Sequence, residues 1–409
     1  MQPTSYNEAI DWLFQQFPSY QNIGGRAYKP GLENIFKLLE HFRNPNEELK
    51  FVHVAGTNGK GSTSSMLASI LTESGQKVGL FTSPHIQDFR ERIRVNGSMI
   101  SEQEVHTFIK DIQAASLDFE PSFFEITFLM ALVHFKSQNC SICVIETGLG
   151  GRLDATNCIT PLLSLITNIS LEHTQFLGNT LEDIAFEKGG IIKENVPVII
   201  GERSADTEKV FTTIAKAKNA SITFASDAEL DIPAHFPLLG NYQKNNYKLV
   251  VKAIEQLQTN FNIADEHLIN GLKNLSRNTG FFGRMQKIQS NPTIIFDVSH
   301  NEAGIKSTLA SFPSEQNLII VYGTSSDKDL AAIFKLFSKQ HTYYFTEFSN
   351  ERSAKIEQLR VFAQKFELNA KFFTQPKNAL ESTKSIATKE DTILVFGSFF
   401  LISDFFEKK

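Results

Sequence analysis

Short apolar runs alternate with amphipathic stretches along most of the chain. Phe51–Ala55 predicts a buried strand, and a helix follows from about Ser62 to Ser74. Lys77–Phe81 predicts a second strand. Phe123–Phe135 has the length and pattern of a helix, Ile142–Ile145 and Leu162–Ile166 read as buried strands, Leu181–Lys188 as a helix and Pro197–Ile200 as a strand. A new series starts beyond the glycine-containing turn Gly280–Gly283. It runs Thr293–Phe296 strand, Glu302–Leu309 helix, Leu318–Tyr322 strand, Leu330–Phe337 helix, Thr342–Phe345 strand and Ile393–Phe396 strand. This rhythm predicts an α/β fold whose mostly parallel sheet is covered on both faces. Residues 1–50 read as mainly helical and carry the glycine-rich stretch Gly24–Gly31.

Length divides this pattern in two. A chain of 409 residues exceeds what one hydrophobic core usually serves. The expectation is one domain over 1–285, a second over 292–409 and a joint at 286–291, where Ser290-Asn291-Pro292 supplies turn chemistry. The 36 phenylalanines against 1 tryptophan read as rings filling these cores. A net charge of −5 argues against general nucleic-acid binding, which needs a basic face. Anionic ligands must then be met by local cations and backbone N–H groups. Cys140, Cys143 and Cys158 do not make a full disulfide set, which points to a reducing compartment. Cys140 and Cys143 have C-x-x-C spacing, but the apolar run Ser141–Ile145 favours buried thiols over a metal or redox site. The N-terminus lacks the basic start and apolar stretch of a signal peptide, and no apolar run approaches the ~20 residues of a membrane helix. The expectation is a cytoplasmic protein with no membrane partner.

The first candidate chemistry lies where the Phe51–Ala55 strand meets its helix, at Gly56-Thr57-Asn58-Gly59-Lys60-Gly61-Ser62-Thr63. A strand, a glycine-rich turn and a helix in that order make an anion site, because backbone N–H groups and the positive helix end converge. Lys60 would reach the β- and γ-phosphates of a nucleotide, and a hydroxyl just beyond it would help ligate Mg²⁺. The segment departs from G-x-x-x-x-G-K-[ST]: it is shorter before Gly59, and Gly61 follows the lysine. The competing reading is a glycine-rich turn with a surface lysine. Elsewhere, Glu146 closes an apolar strand, the position where ligand crevices form in α/β sheets. The alternative is a solvated residue at a strand exit.

Three longer segments carry a resemblance. His53-Val54-Ala55-Gly56-Thr57-Asn58-Gly59-Lys60-Gly61-Ser62 resembles the ATP loop of the folylpolyglutamate synthase/dihydrofolate synthase family, a branch of the Mur ligase superfamily. Thr82-Ser83-Pro84-His85, with Phe89-Arg90-Glu91-Arg92-Ile93-Arg94-Val95-Asn96-Gly97, is similar to the family's next signature. So is Glu146-Thr147-Gly148-Leu149-Gly150-Gly151-Arg152-Leu153-Asp154-Ala155-Thr156-Asn157. Shorter matches extend from about Gly31 to Asp404. The resemblance implies a Mur-ligase-like P-loop ATPase domain with a mostly parallel sheet, plus a smaller Rossmann-like α/β C-terminal domain that handles glutamate.

It also implies residue roles. Gly56, Thr57, Asn58, Gly59, Lys60, Gly61 and Ser62 would bind ATP, joined by Asn246, Arg284 and Asp297. Ser83, Glu146 and His173 would hold Mg²⁺, although histidine is an unusual ligand for that ion. Glu172 stands where the family has Asp. Lys60, Lys188 and His300 would serve catalysis, His300 either near the phosphoryl group or as an orienter of its turn. Lys188 lies in Glu187-Lys188-Gly189-Gly190-Ile191, where the family has Glu-Lys-Ala-Gly-Ile with a carbamylated lysine. Such a carbamate would help hold a second Mg²⁺, and K⁺ is a further candidate ion. By itself, Lys188 reads as a cation at a negative helix end. Asn246 reads equally well as part of an Asn-rich helix start, and Tyr242 departs from the family's His. Phe282-Gly283-Arg284 stands where the family has Pro-Gly-Arg. Phe124, Arg152, Leu153 and Asp154 would bind the folate or pteroate, with a packed core role as the alternative for Phe123 and Phe124.

The implied reaction is ATP-dependent addition of L-glutamate to dihydropteroate and to the γ-carboxylate of reduced folates, by a monomer of the bacterial bifunctional type. The alternatives are a monofunctional folylpolyglutamate synthase, a cell-wall amino-acid ligase, or a P-loop kinase or nucleotide switch without ligation. Residues of both domains on one ATP would imply domain closure about the joint.

Overall fold

A computed structural model describes residues 4–19, 24–27, 29–233 and 236–406. The chain forms two compact units. One comprises Met1–His85, Phe89–Pro237 and Lys244–Phe281; the other comprises Ile86–Asp88, Leu238–Gln243 and Phe282–Lys409.

The first unit is built on eight strands: β1 (Phe51–Ala55), β2 (Val78–Phe81), β3 (Ile93–Val95), β4 (Ser98–Met99), β5 (Ile142–Glu146), β6 (Leu163–Ile166), β7 (Val198–Ile200) and β8 (Ile222–Phe224). Their order is β4-β3-β2-β5-β1-β6-β7-β8. All pairings from β2 to β8 are parallel, while β3 runs antiparallel to β2 and β4 to β3. Every residue of β1, β2, β5, β6 and β7 is buried, as continuous apolar strands covered on both faces should be. The helix Lys60–Glu73 has no polar face, and Gly61–Leu71 are all buried. Small residues make that possible. Ser69 donates to the Gly271 carbonyl at 2.6 Å, and a Cβ at Gly271 would lie 2.8 Å from the backbone nitrogen of Ile70. The helix Phe123–Ser137 begins with a capping box between Ser122 and Glu125.

The second unit holds six strands: β9 (Gln286–Ser290), β10 (Thr293–Asp297), β11 (Leu318–Tyr322), β12 (Thr342–Thr346), β13 (Asn369–Phe373) and β14 (Thr392–Phe396). Their order is β13-β12-β11-β14-β10-β9, all parallel except β9, which returns antiparallel on β10. The core beneath it is aromatic. Tyr322, Phe334, Phe337, Phe345 and Phe396 pack with ring centroids 5.1–6.4 Å apart around Tyr322. Each sheet is mostly parallel, in line with the α/β expectation.

The structure differs from the sequence reading in three places. The segment read as a joint, 286–291, is strand β9 with its turn; its largely exposed, mostly polar residues hid an edge strand. By contacts the second unit resumes at Phe282 and also takes in Ile86–Asp88 and Leu238–Gln243. The helix expected over Leu330–Phe337 ends at Phe334, although Phe337 stays buried.

Phe334 is fully buried within this aromatic core. Phe334→Ala is expected to destabilise the second unit by about 3–5 kcal/mol, the usual cost of emptying a packed ring site. Urea unfolding followed by tyrosine fluorescence measures it; a loss below 1 kcal/mol would contradict the packing described.

Candidate active site

Parallel pairing brings the C-terminal ends of β2, β5, β1 and β6 to one edge of the first sheet. The segments that leave these ends are the ones singled out in the sequence. Gly56 follows β1 with φ +143°, and Gly59 caps the next helix with φ +85° and no side-chain cap. Both conformations disfavour a side chain. Space forbids one as well: a Cβ on Gly56 would lie 1.8 Å from Thr167 Oγ1, and one on Gly59 2.3 Å from Asn246 Oδ1. Asn246 therefore stands directly beside the loop.

Residues 167–170, leaving β6, brace the loop. Thr57 N donates to the Asn168 carbonyl at 2.9 Å, and Asn58 N donates to Asn168 Oδ1 at 3.1 Å. Thr167 Oγ1 and Asn168 Nδ2 donate to the Asn58 carbonyl at 2.6 and 3.1 Å. Thr57 Oγ1 both donates to the Ser170 carbonyl and accepts from Ser170 N. Lys60 Nζ lies back over the loop, donating to the carbonyls of Gly56 at 3.0 Å and Thr57 at 3.1 Å. Gly61 and Ser62 are buried in the first helical turn.

Lys188 meets the same loop from another side. It ends the helix Leu181–Gly189, is buried, and donates to the Gly56 carbonyl at 2.8 Å. Burial, reinforced by the charge of Lys60, pulls its ammonium down to about 7, against the attraction of Glu172 and Asp154. The lysine amine is thus partly neutral near neutral pH.

Glu146 closes β5, buried, and its Oε2 accepts from Ser83 N at 3.0 Å. Arg92 is buried close by. Burial lowers its guanidinium to about 10 against the attraction of Glu146, and its Nε donates to His85 Nδ1 at 2.8 Å. His173 stands on a separate turn, with φ +52°, as the N-cap of Thr174–Leu177, 3.9 Å from Glu172 Oε1. A carboxylate beside a serine suits a hard cation that keeps water and phosphate ligands. Among the described residues, no three His, Cys, Asp or Glu side chains gather as a metal cluster. A cation here would depend on Ser83 and on nucleotide oxygens.

The segment after Gly148 lies against both groups. The Phe124 ring fills the space over Gly148, where a Cβ would sit 2.7 Å from it. Gly151 approaches the carbonyls of Glu187 and Lys188, each 2.9 Å from where its Cβ would be. Arg152 forks onto Glu187 at 2.8 and 3.2 Å, and its guanidinium stands 5.6 Å from the half-exposed Phe186 ring. Leu153 is half-buried and its carbonyl accepts from Gly31 N. Asp154 faces inward. Its oxygens accept from Gly148 N, Leu149 N, Thr156 N and Thr156 Oγ1, while burial raises its carboxyl above the usual range. The resemblance assigned Asp154 to the ligand; in the structure its four bonds shape the turn that presents Arg152 and Leu153.

In the second unit, Asp297 closes β10 and is buried. It accepts from Met285 N at 2.7 Å, Tyr242 Oη at 3.2 Å, Ser299 N at 2.8 Å and Thr308 Oγ1 at 3.1 Å. The carboxylate expected on the nucleotide therefore holds the turn that carries Arg284. That turn needs Gly283, whose φ is +72° and whose Cβ would lie 2.9 Å from Ile86. Arg284 donates to the Phe282 carbonyl at 3.2 Å. His300 Nδ1 donates to the Val298 carbonyl at 3.0 Å, which fixes its tautomer when neutral, and its ring packs edge-on against Phe399.

Comparison with known proteins decides the family. The Mur ligase middle domain matches residues 54–272, and the Mur ligase glutamate ligase domain matches 283–399. The dihydrofolate synthase/folylpolyglutamate synthase of Bacillus subtilis is 30% identical, with 98% of each chain covered. The chain belongs to the dihydrofolate synthase/folylpolyglutamate synthase family. A probable bifunctional folylpolyglutamate synthase/dihydropteroate synthase of Haloferax volcanii is 31% identical over 98% of this chain, which spans only 50% of that protein. E. coli FolC in complex with DHPP and ADP has a TM-score of 0.84 at 27% identity, covering 98% of this chain and 97% of that one. The bifunctional enzyme of Yersinia pestis with AMPPNP and Mn ion gives 0.84 at 26%, covering 98% and 97%.

Two departures from the family pattern acquire reasons. At Gly189, in place of an alanine, Ile214 Cδ1 lies 2.7 Å from where the methyl would be, so an alanine would need that side chain to turn aside. Tyr242, in place of a histidine, supplies its hydroxyl to Asp297. The sequence reading missed Arg92, Thr167, Asn168 and Glu187. Arg92 lay inside a recognised motif; residues 167–168 are ordinary loop types whose signal is only their place after β6.

The lowered Lys188 ammonium has a consequence for stability. Between about 7 and the ordinary lysine value, the unfolded state binds more protons, so folding gains as pH rises through that window. In carbon-dioxide-free buffer, Lys188→Met is expected to stabilise the protein at pH 6, by on the order of 4 kcal/mol at most, and much less at pH 9.5. Urea unfolding of both proteins at the two pH values measures the difference. A gap that does not narrow with pH would refute the buried-cation assignment.

Proposed function

We propose that this chain uses ATP to join L-glutamate to dihydropteroate, forming dihydrofolate, and to the γ-carboxylate of reduced folates. The observation that carries the proposal is the meeting of Lys60 and Lys188 on the Gly56 carbonyl, in a chain of this family, with the 148–154 turn packed against the same lysine's helix. The substrate carboxylate would attack the γ-phosphorus and give an acyl phosphate and ADP. The glutamate amine would then displace phosphate. Little covalent chemistry is asked of the protein, which must position groups and neutralise charge. Lys60 is the cation available at the loop once a phosphate replaces the carbonyls as its partner.

The rest of the assignment follows the same logic. Residues 56–62, Asn246, Arg284 and Asp297 would hold the nucleotide, Asp297 also fixing the turn that carries Arg284. Ser83, Glu146 and His173 would hold Mg²⁺, which would neutralise phosphate charge. A neutral Lys188 amine can add CO₂ and lose a proton, giving a carbamate for a second Mg²⁺; no residues are assigned to K⁺. Phe124, Arg152, Leu153 and Asp154 would form the pteroate or folate side of the site, Asp154 also holding its turn. His300 would act next to the phosphoryl group. We place the reaction in the cytoplasm and in a monomer. Cys140, Cys143 and Cys158 are all unpaired thiols, and no helix among the described residues is long and apolar enough to cross a membrane.

Purified protein with ATP, Mg²⁺ and glutamate, offered dihydropteroate or tetrahydrofolate separately, is expected to add glutamate to both, read by mass spectrometry. Addition to one alone would leave a monofunctional enzyme. ATP hydrolysis indifferent to glutamate, without either product, would favour the kinase or switch reading. Lys60→Ala is expected to lower ATP turnover by about 10³-fold or more while leaving the fold intact. Near-normal turnover in a folded variant would remove the loop from this role.

A further inference from the structure

His53 is wholly buried in the middle of β1, among Phe51, Val52, Val54 and Ala55. An apolar residue would avoid the desolvation of an imidazole there, and Nδ1 has no hydrogen-bond partner. The other ring nitrogen is engaged: Nε2 lies 2.8 Å from Thr156 Oγ1. That hydroxyl in turn donates to Asp154 Oδ1 at 2.5 Å. Thr156 N occupies the same oxygen at 3.0 Å, while Gly148 N and Leu149 N occupy Oδ2 at 3.0 and 2.9 Å.

The direction of every bond follows. Three backbone N–H donors on the two oxygens mark Asp154 as an acceptor, so the single Thr156 hydroxyl proton points to it. Toward His53 the hydroxyl can only accept, and Nε2 must carry the ring proton. Burial, with the charge of Lys193 second, holds the imidazolium down to about 3, so the ring stays neutral and in one tautomer. A fixed donor on the strand that enters the phosphate loop thus reaches, through Thr156 and Asp154, the amides of Gly148 and Leu149.

We infer that His53 is a positioning residue for the folate side of the site: it sets the 148–154 turn, and with it Arg152 and Leu153, from the strand that carries the phosphate loop. It touches no substrate. This inference rests on the ligase reading above for its kinetic consequence, but its structural consequence does not.

The test uses the full chain with His53→Leu, His53→Gln, His53→Asn and Thr156→Val. Glutamine can place its Nε2–H near that of histidine; asparagine is too short, and leucine has no donor. His53→Leu and Thr156→Val are expected to raise KM for dihydropteroate or tetrahydrofolate about tenfold, with KM for ATP within about twofold. His53→Gln is expected to stay within about threefold of the parent, and His53→Asn to resemble His53→Leu. The double variant His53→Leu/Thr156→Val should be no worse than either single one, because both cut the same chain of bonds.

Amide hydrogen exchange of the peptide spanning 147–156 gives a readout independent of activity. His53→Leu and Thr156→Val should speed it about tenfold and His53→Gln should not, at unchanged exchange in β1. If His53→Leu fails to fold, Thr156→Val, which keeps its shape, carries both measurements. Equal rises in the KM of both substrates, no exchange difference at 147–156, or glutamine no better than leucine would overturn the inference. If the parent adds no glutamate to either folate substrate, the ligase reading falls, and exchange alone decides the bond relay.

Discussion

One carbonyl oxygen, that of Gly56, accepts from both Lys60 and Lys188. Burial and the charge of Lys60 pull the Lys188 ammonium down to about 7, while Glu172 and Asp154 pull the other way. Much of the first unit serves to make the arrangement possible. β1 must be buried to its last residue, Gly56 and Gly59 must adopt left-handed or extended-positive φ, and the 167–170 segment must pin the loop. Together these contacts set the loop backbone and both amines in place in advance.

The same lysine couples the loop to the turn after Gly148. Gly151 lies against the carbonyls of Glu187 and Lys188, and Arg152 pairs with Glu187. A helix of nine residues, Leu181–Gly189, therefore presents its last turn to both segments. Positioning in this unit is done by backbone and by buried, fully bonded polar groups, with few exposed side chains involved. Asp154 and Asp297 make the point twice. Each closes or follows a strand, each was read as a ligand contact, and each accepts four internal hydrogen bonds that shape a turn.

The central strands were legible because burial on both faces leaves uninterrupted apolar runs, as in Ile142–Ile145 and Leu318–Tyr322. Edge strands were not. β9, β13 and β4 are half-exposed or exposed and mix polar residues with apolar ones, so their pattern resembles a loop. Glycine-rich and charged motifs pointed to Gly56, Lys60 and Glu146, since such residues are conspicuous at strand and helix ends, while Lys188 stood out only through the family resemblance. What the chain could not reveal was which atom a side chain faces. Ser83 meets Glu146 through its backbone nitrogen, Asn168 braces the loop through an ordinary amide, and His53 looks like an apolar-strand oddity until Thr156 is seen beside it.

Gly189 marks where two helices meet. The space an alanine methyl would fill is held by the Cδ1 atom of Ile214, on the helix Ala205–Ala217. That atom is the far end of a flexible side chain, so an alanine at 189 asks Ile214 to change rotamer and asks nothing of either backbone. The last turn that carries Lys188 is thus seated against a neighbour that can give way, whereas Gly151 meets that turn through rigid carbonyls.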